Sequence, residues 1–124
     1  MTATLTVFLL EDERLWQQGV AQLLATMPGV ELVGVASDAE DGWIQCQALK
    51  PQVVLLDWNV AGLYTGDWLG NKLLASGHPP ERLAMVSGAD PSVLPEVPYV
   101  KIPKPQLATR LVAFIQACQA MPVF

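Results

Sequence analysis

The chain has 124 residues and a mass of 13.4 kDa, a length that one hydrophobic core serves, which excludes two large domains. With 52% hydrophobic and 15% charged residues it is far from the composition of a disordered chain. Its formal net charge of −5, with the basic residues scattered at Arg14, Lys50, Lys72, Arg82, Lys101, Lys104 and Arg110, excludes a non-specific nucleic-acid surface. No apolar run reaches the roughly 20 residues of a membrane span, and the stretch Leu5 to Leu10 is too short and lacks the basic flank of a signal peptide. The expected location is the cytoplasm. Two cysteines, Cys46 and Cys118, form neither a disulfide framework nor a paired metal motif, and His78 alone makes no histidine-ligated site.

Thr4 to Leu10 is a continuous apolar and β-branched run, which predicts a strand buried on both faces. After Glu11, Asp12 and Glu13, the apolar residues Trp16, Val20, Leu23, Leu24 and Met27 recur at helical spacing until Pro28-Gly29. Val30 to Ala36 alternates and predicts a strand at a sheet edge. Ser37 and Glu40 have the spacing of a capping box, opening a helix through Trp43, Ile44 and Leu49 to Lys50-Pro51. Val53 to Leu56 predicts a central strand that ends in Asp57. A loop from Trp58 to Gly66 leads to a helix over Asp67 to Ser76, weakened by Gly70. Leu83 to Val86 forms a fourth strand ending at Ser87. Pro91, Pro95 and Pro98 then leave no room for more than about one helical turn, so 88–98 is expected as loop. Tyr99 to Ile102 predicts a fifth strand, and Leu107, Leu111, Phe114, Ile115 and Cys118 a final helix.

This alternation implies an α/β fold: a doubly wound, five-stranded parallel sheet with helices on both faces, in one domain over 1–124. Ligands of such sheets bind beyond the carboxyl ends of the strands. Glu11 and Asp12, Asp57, Ser87 and Lys104 all fall at that rim. Carboxylates crowded together repel one another, and a hard divalent cation, Mg²⁺, relieves the repulsion. One carboxylate could then act as a nucleophile toward a phosphoryl group, so the residue set suits an aspartyl phosphate.

The segments LLEDER, VVLLDWNVAG, MVSGA and IPKP resemble the signature segments of the response-regulator receiver domain of two-component signalling, and the resemblance covers essentially the whole chain. It implies a flavodoxin-like sheet of order 2-1-3-4-5. It implies that Glu11 and Asp12 hold Mg²⁺, that Asp57 is the phosphoacceptor and that the Asn59 carbonyl completes the metal shell. Ser87 corresponds to the hydroxyl that bonds the phosphoryl group, Gly88 to the small residue beside it, and Lys104 to the family lysine, followed at Pro105 by a peptide bond that is usually cis. The implied phosphodonor is a sensor histidine kinase or a histidine phosphotransfer protein; the downstream protein target is not specified.

The chain also departs from the family pattern. The stretch from Ser87 to Lys104 is short, so the family's fourth helix is expected to be shortened or missing. Lys101 stands where a switch aromatic is usual, Ala61 replaces a usual proline, and Gly66 sits one residue late. Apolar surface bared by the lost helix would favour a homodimer or a docking partner. A phosphorylation-independent interaction module of the same fold is therefore the alternative reading. Phosphatase chemistry is disfavoured because Asn59 cannot transfer a proton, and flavin binding because Glu11, Asp12 and Glu13 would repel a phosphate.

Overall fold

The computed structural model describes residues 4–122; the outer limits of the expected domain, 1–3 and 123–124, lie outside them. The elements run β1 (Leu5–Leu10), α1 (Arg14–Ala25), β2 (Val30–Ala36), α2 (Ala39–Leu49), β3 (Val53–Leu56), α3 (Gly66–Ala75), β4 (Leu83–Ser87), β5 (Val100–Pro103) and α4 (Leu107–Ala120). All neighbouring strands are parallel, in the order β2-β1-β3-β4-β5. The flavodoxin-like order implied by the resemblance is the one observed. None of the helices among the described residues is long and apolar enough to cross a membrane.

Side chains of a strand alternate between faces, and here the alternation sorts the core into two halves. Val7, Leu9, Leu55 and Val86 pack with Val20 and Leu24 of α1 and with Leu111 and Ile115 of α4. Phe8, Leu10, Leu56 and Met85 pack on the other face with Cys46 of α2 and Leu69 and Leu73 of α3. Cys46 and Cys118 lie in different halves, both buried and free.

Three local expectations are corrected. The cap of α2 is Asp38 rather than Ser37: the helix starts at Ala39, and the Asp38 carboxylate accepts the Asp41 N–H at 2.8 Å. The fifth strand begins at Val100, because Tyr99 turns into the core instead of pairing. No peptide bond among the described residues is cis; Pro105 lies in a 3₁₀ turn over Lys104–Gln106, whose opening positions suit its fixed φ.

Between β4 and β5 the only helical element among the described residues is a 3₁₀ turn over Pro91–Val93, so the shortening expected from the prolines is observed. The expected bare apolar surface is largely closed by the loop itself. Leu94 and Tyr99 are buried and Val97 packs beside them, leaving Val93 and Val100 exposed. Gly70 makes this possible. A Cβ there would lie 3.1 Å from Leu56 and collide with the Tyr99 ring, so the glycine that weakens α3 is also what admits the tyrosine.

Candidate functional site

Each strand end is tied to its neighbour, which is what brings the rim residues together. The Glu11 N–H donates to the Ala36 carbonyl of β2 and the Asp57 N–H to the Leu10 carbonyl of β1, both at 2.9 Å. At the far side of β4, Ser87 pairs with Pro103, which delivers Lys104 one residue later. Glu11, Asp57, Ser87 and Lys104, all predicted from sequence, are buried here; Asp12 and Asn59 stand exposed on the rim.

Lys104 Nζ lies 2.8 Å from Glu11 Oε1 and 3.1 Å from Asp57 Oδ2, bridging two buried carboxylates. Glu11 Oε2 accepts the Glu13 N–H at 3.1 Å, and Gln17 Nε2 donates to the Glu11 carbonyl at 2.6 Å, so Glu11 is held from both ends. Burial pushes the Glu11 carboxyl above its usual range, with the Asp57 charge adding to the effect, although Lys104 and the Glu13 N–H pull the other way. Burial alone would lower the Lys104 ammonium, but its hydrogen bonds and charge contacts with Glu11 and Asp57 outweigh that and hold it above its ordinary value. Lys104 is therefore a charged, positioned cation.

One carboxylate oxygen from each of Glu11, Asp12 and Asp57 lies within 4.8 Å of the others. Three carboxylates and one ammonium leave two net negative charges, and every donor is a hard oxygen. This set fits a small divalent cation such as Mg²⁺ and not a soft transition metal. The exposed Asp12 leaves one side open to water.

A cavity of about 490 Å³ opens over the cluster, lined by Asp57, Trp58, Asn59, Ser87, Gly88 and Lys104, and also by Glu13 and Trp16. Ser87 Oγ accepts the Ala89 N–H at 3.1 Å, which leaves its own proton free to donate. The Gly88 Cα faces the Lys104 stem, and a Cβ there would lie at an ordinary 3.7 Å.

Two residues of the site went unrecognised in the sequence. The Trp16 ring lies 4.8 Å from Lys104 Nζ, a cation–π contact; its place in the opening turn of α1, four residues after Asp12, is the signal that could have found it. Trp16→Leu is expected to lower stability by about 1 kcal/mol through this contact, read as a reduced urea midpoint at unchanged slope. Gly66 donates its N–H to the Trp58 carbonyl at 2.8 Å, folding the loop back on Asp57; a Cβ there would overlap the Asp57 carbonyl oxygen. No sequence pattern within the loop reveals so close an approach.

No protein-family model matches the chain. Among curated sequences it is 32% identical over 96 residues to an uncharacterised response regulatory protein of Vibrio cholerae, covering 77% of this chain and 33% of that one. It is 36% identical over 58 residues to the nitrate/nitrite response regulator NarL of Escherichia coli, covering 47% and 27%. The chain thus spans well under half the length of these relatives. Among solved structures it resembles the signal receiver domain of a NarL response regulator from Mycobacterium tuberculosis, with a TM-score of 0.79 at 20% identity over 96% of this chain and 99% of that one. A LuxR-family two-component response regulator from Aurantimonas gives a TM-score of 0.82 at 21% identity, over 95% and 86%.

Proposed function

This chain is a receiver domain of the response-regulator kind, and from that premise we propose that Asp57 accepts a phosphoryl group from a phosphohistidine on a sensor histidine kinase or a histidine phosphotransfer protein, in a Mg²⁺-dependent reaction in the cytoplasm. The observation that carries the reading is Asp57 itself: buried at the end of β3, 3.1 Å from the Lys104 ammonium, with two further carboxylates in reach.

An Asp57 carboxylate oxygen attacks phosphorus in line with the leaving imidazole nitrogen. The O–P bond forms as the P–N bond breaks, and the electron pair of that bond stays on the imidazole. Lys104, already charged, needs only to shift its ammonium from the carboxylates toward an equatorial phosphoryl oxygen. Ser87 donates its free proton to another. Glu11, Asp12 and Asp57, with the Asn59 carbonyl, would hold Mg²⁺, which supplies charge neutralisation to the phosphoryl oxygens when bound. Trp58 and Trp16 wall the cavity and limit water around the developing acyl phosphate.

Intact-protein mass after incubation with acetyl phosphate tests this reading. A single phosphoryl increment is expected with Mg²⁺ and none with EDTA. An increment that survives EDTA would show that the acidic cluster does not serve the reaction through a metal.

A further inference from the structure

A second and larger cavity, of about 650 Å³, lies at the opposite end of the sheet, where Gln52 leads into β3 and Arg82 into β4. From Arg82 to Ser87 the chain runs the length of β4, about 16 Å at the rise of an extended strand, so this cavity is separate from the acidic rim. Its walls have two characters. Trp43, Leu73 and the prolines flanking it supply flat apolar surface, while Lys50 and Arg82 supply positive charge. Among the described residues no Asp or Glu lines it, in a chain whose net charge is −5.

Arg82 is the unusual member. Its side chain is more than nine-tenths buried, yet it forms no ion pair among the described residues, and its Nη1 is shielded from solvent with no hydrogen-bond partner. A buried guanidinium normally has a carboxylate or a carbonyl beside it, because an unpaired charged donor away from water is costly. His78 does not supply that partner. Burial and the neighbouring Arg82 charge hold its imidazole below its usual value, although the hydrogen bond to the Arg82 carbonyl raises it, and it is neutral at physiological pH. An unpartnered guanidinium suits an anion, and the cavity that Arg82 helps to line has room for one with an apolar body.

We propose that this cavity is a binding site for a small carboxylate with a flat apolar body, its carboxylate meeting Arg82 and Lys50 and its body lying between Trp43 and Leu73. The site is independent of phosphorylation at Asp57 and would give the domain a second, chemical input at the far end of the same strands.

The test titrates ¹⁵N-labelled protein with benzoate and, separately, with benzamide, which has the same shape and no charge. Benzoate is expected to give saturable shifts at the Trp43 indole N–H and the Gly77 and His78 amides, with benzamide at least about tenfold weaker. Arg82→Gln is expected to weaken benzoate about tenfold. Gln47 is an exposed wall residue, and Gln47→Glu, which puts a carboxylate in the cavity without touching the core, is expected to weaken it several-fold. The second variant decides the matter should the first not fold. No saturable shift with benzoate, equal binding of benzoate and benzamide, or shifts confined to the Asp57 end of the sheet would each overturn the proposal.

Discussion

Asp57→Asn is expected to abolish phosphoryl uptake outright while leaving the domain folded and nearly as stable as before. The amide is no nucleophile, and no other carboxylate of the cluster takes its place: Glu11 is held by Lys104 and the Glu13 N–H, and Asp12 is exposed on the rim. The stability half of the prediction follows from opposing charge contacts. At an effective dielectric of about 20, the attraction between Lys104 and Asp57 at 3.1 Å is about 5 kcal/mol, and the repulsion between two carboxylates whose oxygens lie within 4.8 Å of each other is at least about 3 kcal/mol. Removing the Asp57 charge loses the first and relieves repulsion from both Glu11 and Asp12, the latter weakened by water. The Asn oxygen still accepts a hydrogen bond from Lys104. These contributions offset to within about 1–2 kcal/mol, so the urea midpoint in EDTA should stay close to that of the parent protein. Mg²⁺ should raise the midpoint of the parent and much less that of the variant, because one of three carboxylate ligands is gone. A phosphoryl increment that persists in Asp57→Asn would place the acceptor elsewhere in the chain and end the proposed reaction.

Gly66→Ala is expected to cost about 3 kcal/mol or more of stability and to slow phosphoryl uptake at the same time. The added methyl would overlap the Asp57 carbonyl oxygen and lie 2.8 Å from its carbonyl carbon and 3.2 Å from the Trp58 Cα. All three are backbone atoms of the segment that carries the acceptor, so nothing flexible can yield. Relief requires the loop before α3 to move away, breaking the Gly66 to Trp58 hydrogen bond and shifting Asp57 relative to Lys104. Gly19→Ala provides the contrast. Its Cβ meets nothing within 4 Å on α1, and the gain in helix propensity should raise stability by about 1 kcal/mol. Urea denaturation of the two variants, with the acetyl phosphate assay on the folded fraction, separates a steric role at position 66 from a general intolerance of glycine replacement. A Gly66→Ala protein of parental stability and rate would show that the loop has room the close approach denies.

The site was readable in the sequence because its residues sit at strand ends, and strand ends announce themselves locally. VVLL followed by Asp57, and the apolar run from Leu5 to Leu10 followed by Glu11 and Asp12, each mark where a buried strand meets water. The prolines at 91, 95 and 98 equally forbade a full helix there without any knowledge of packing. The helix cap went one residue astray because Ser37 and Asp38 are both good caps, and the choice rests on where α2 docks against β2.

By itself, then, the sequence determined the strand and helix alternation, the sheet order through its family likeness, and the set of residues that meets at one rim, since each of these follows from short-range patterning and from a chain direction shared by parallel strands. Tertiary structure alone decided that Lys104 bridges Glu11 and Asp57, that Trp16 lies over that lysine, that Gly66 touches the Asp57 backbone, that Tyr99 fills the space over Gly70, and that Arg82 Nη1 is buried with no partner among the described residues. Those contacts join residues far apart in the chain. Their distances depend on strand register, loop path and the volume of side chains on neighbouring elements, none of which any local stretch of sequence contains.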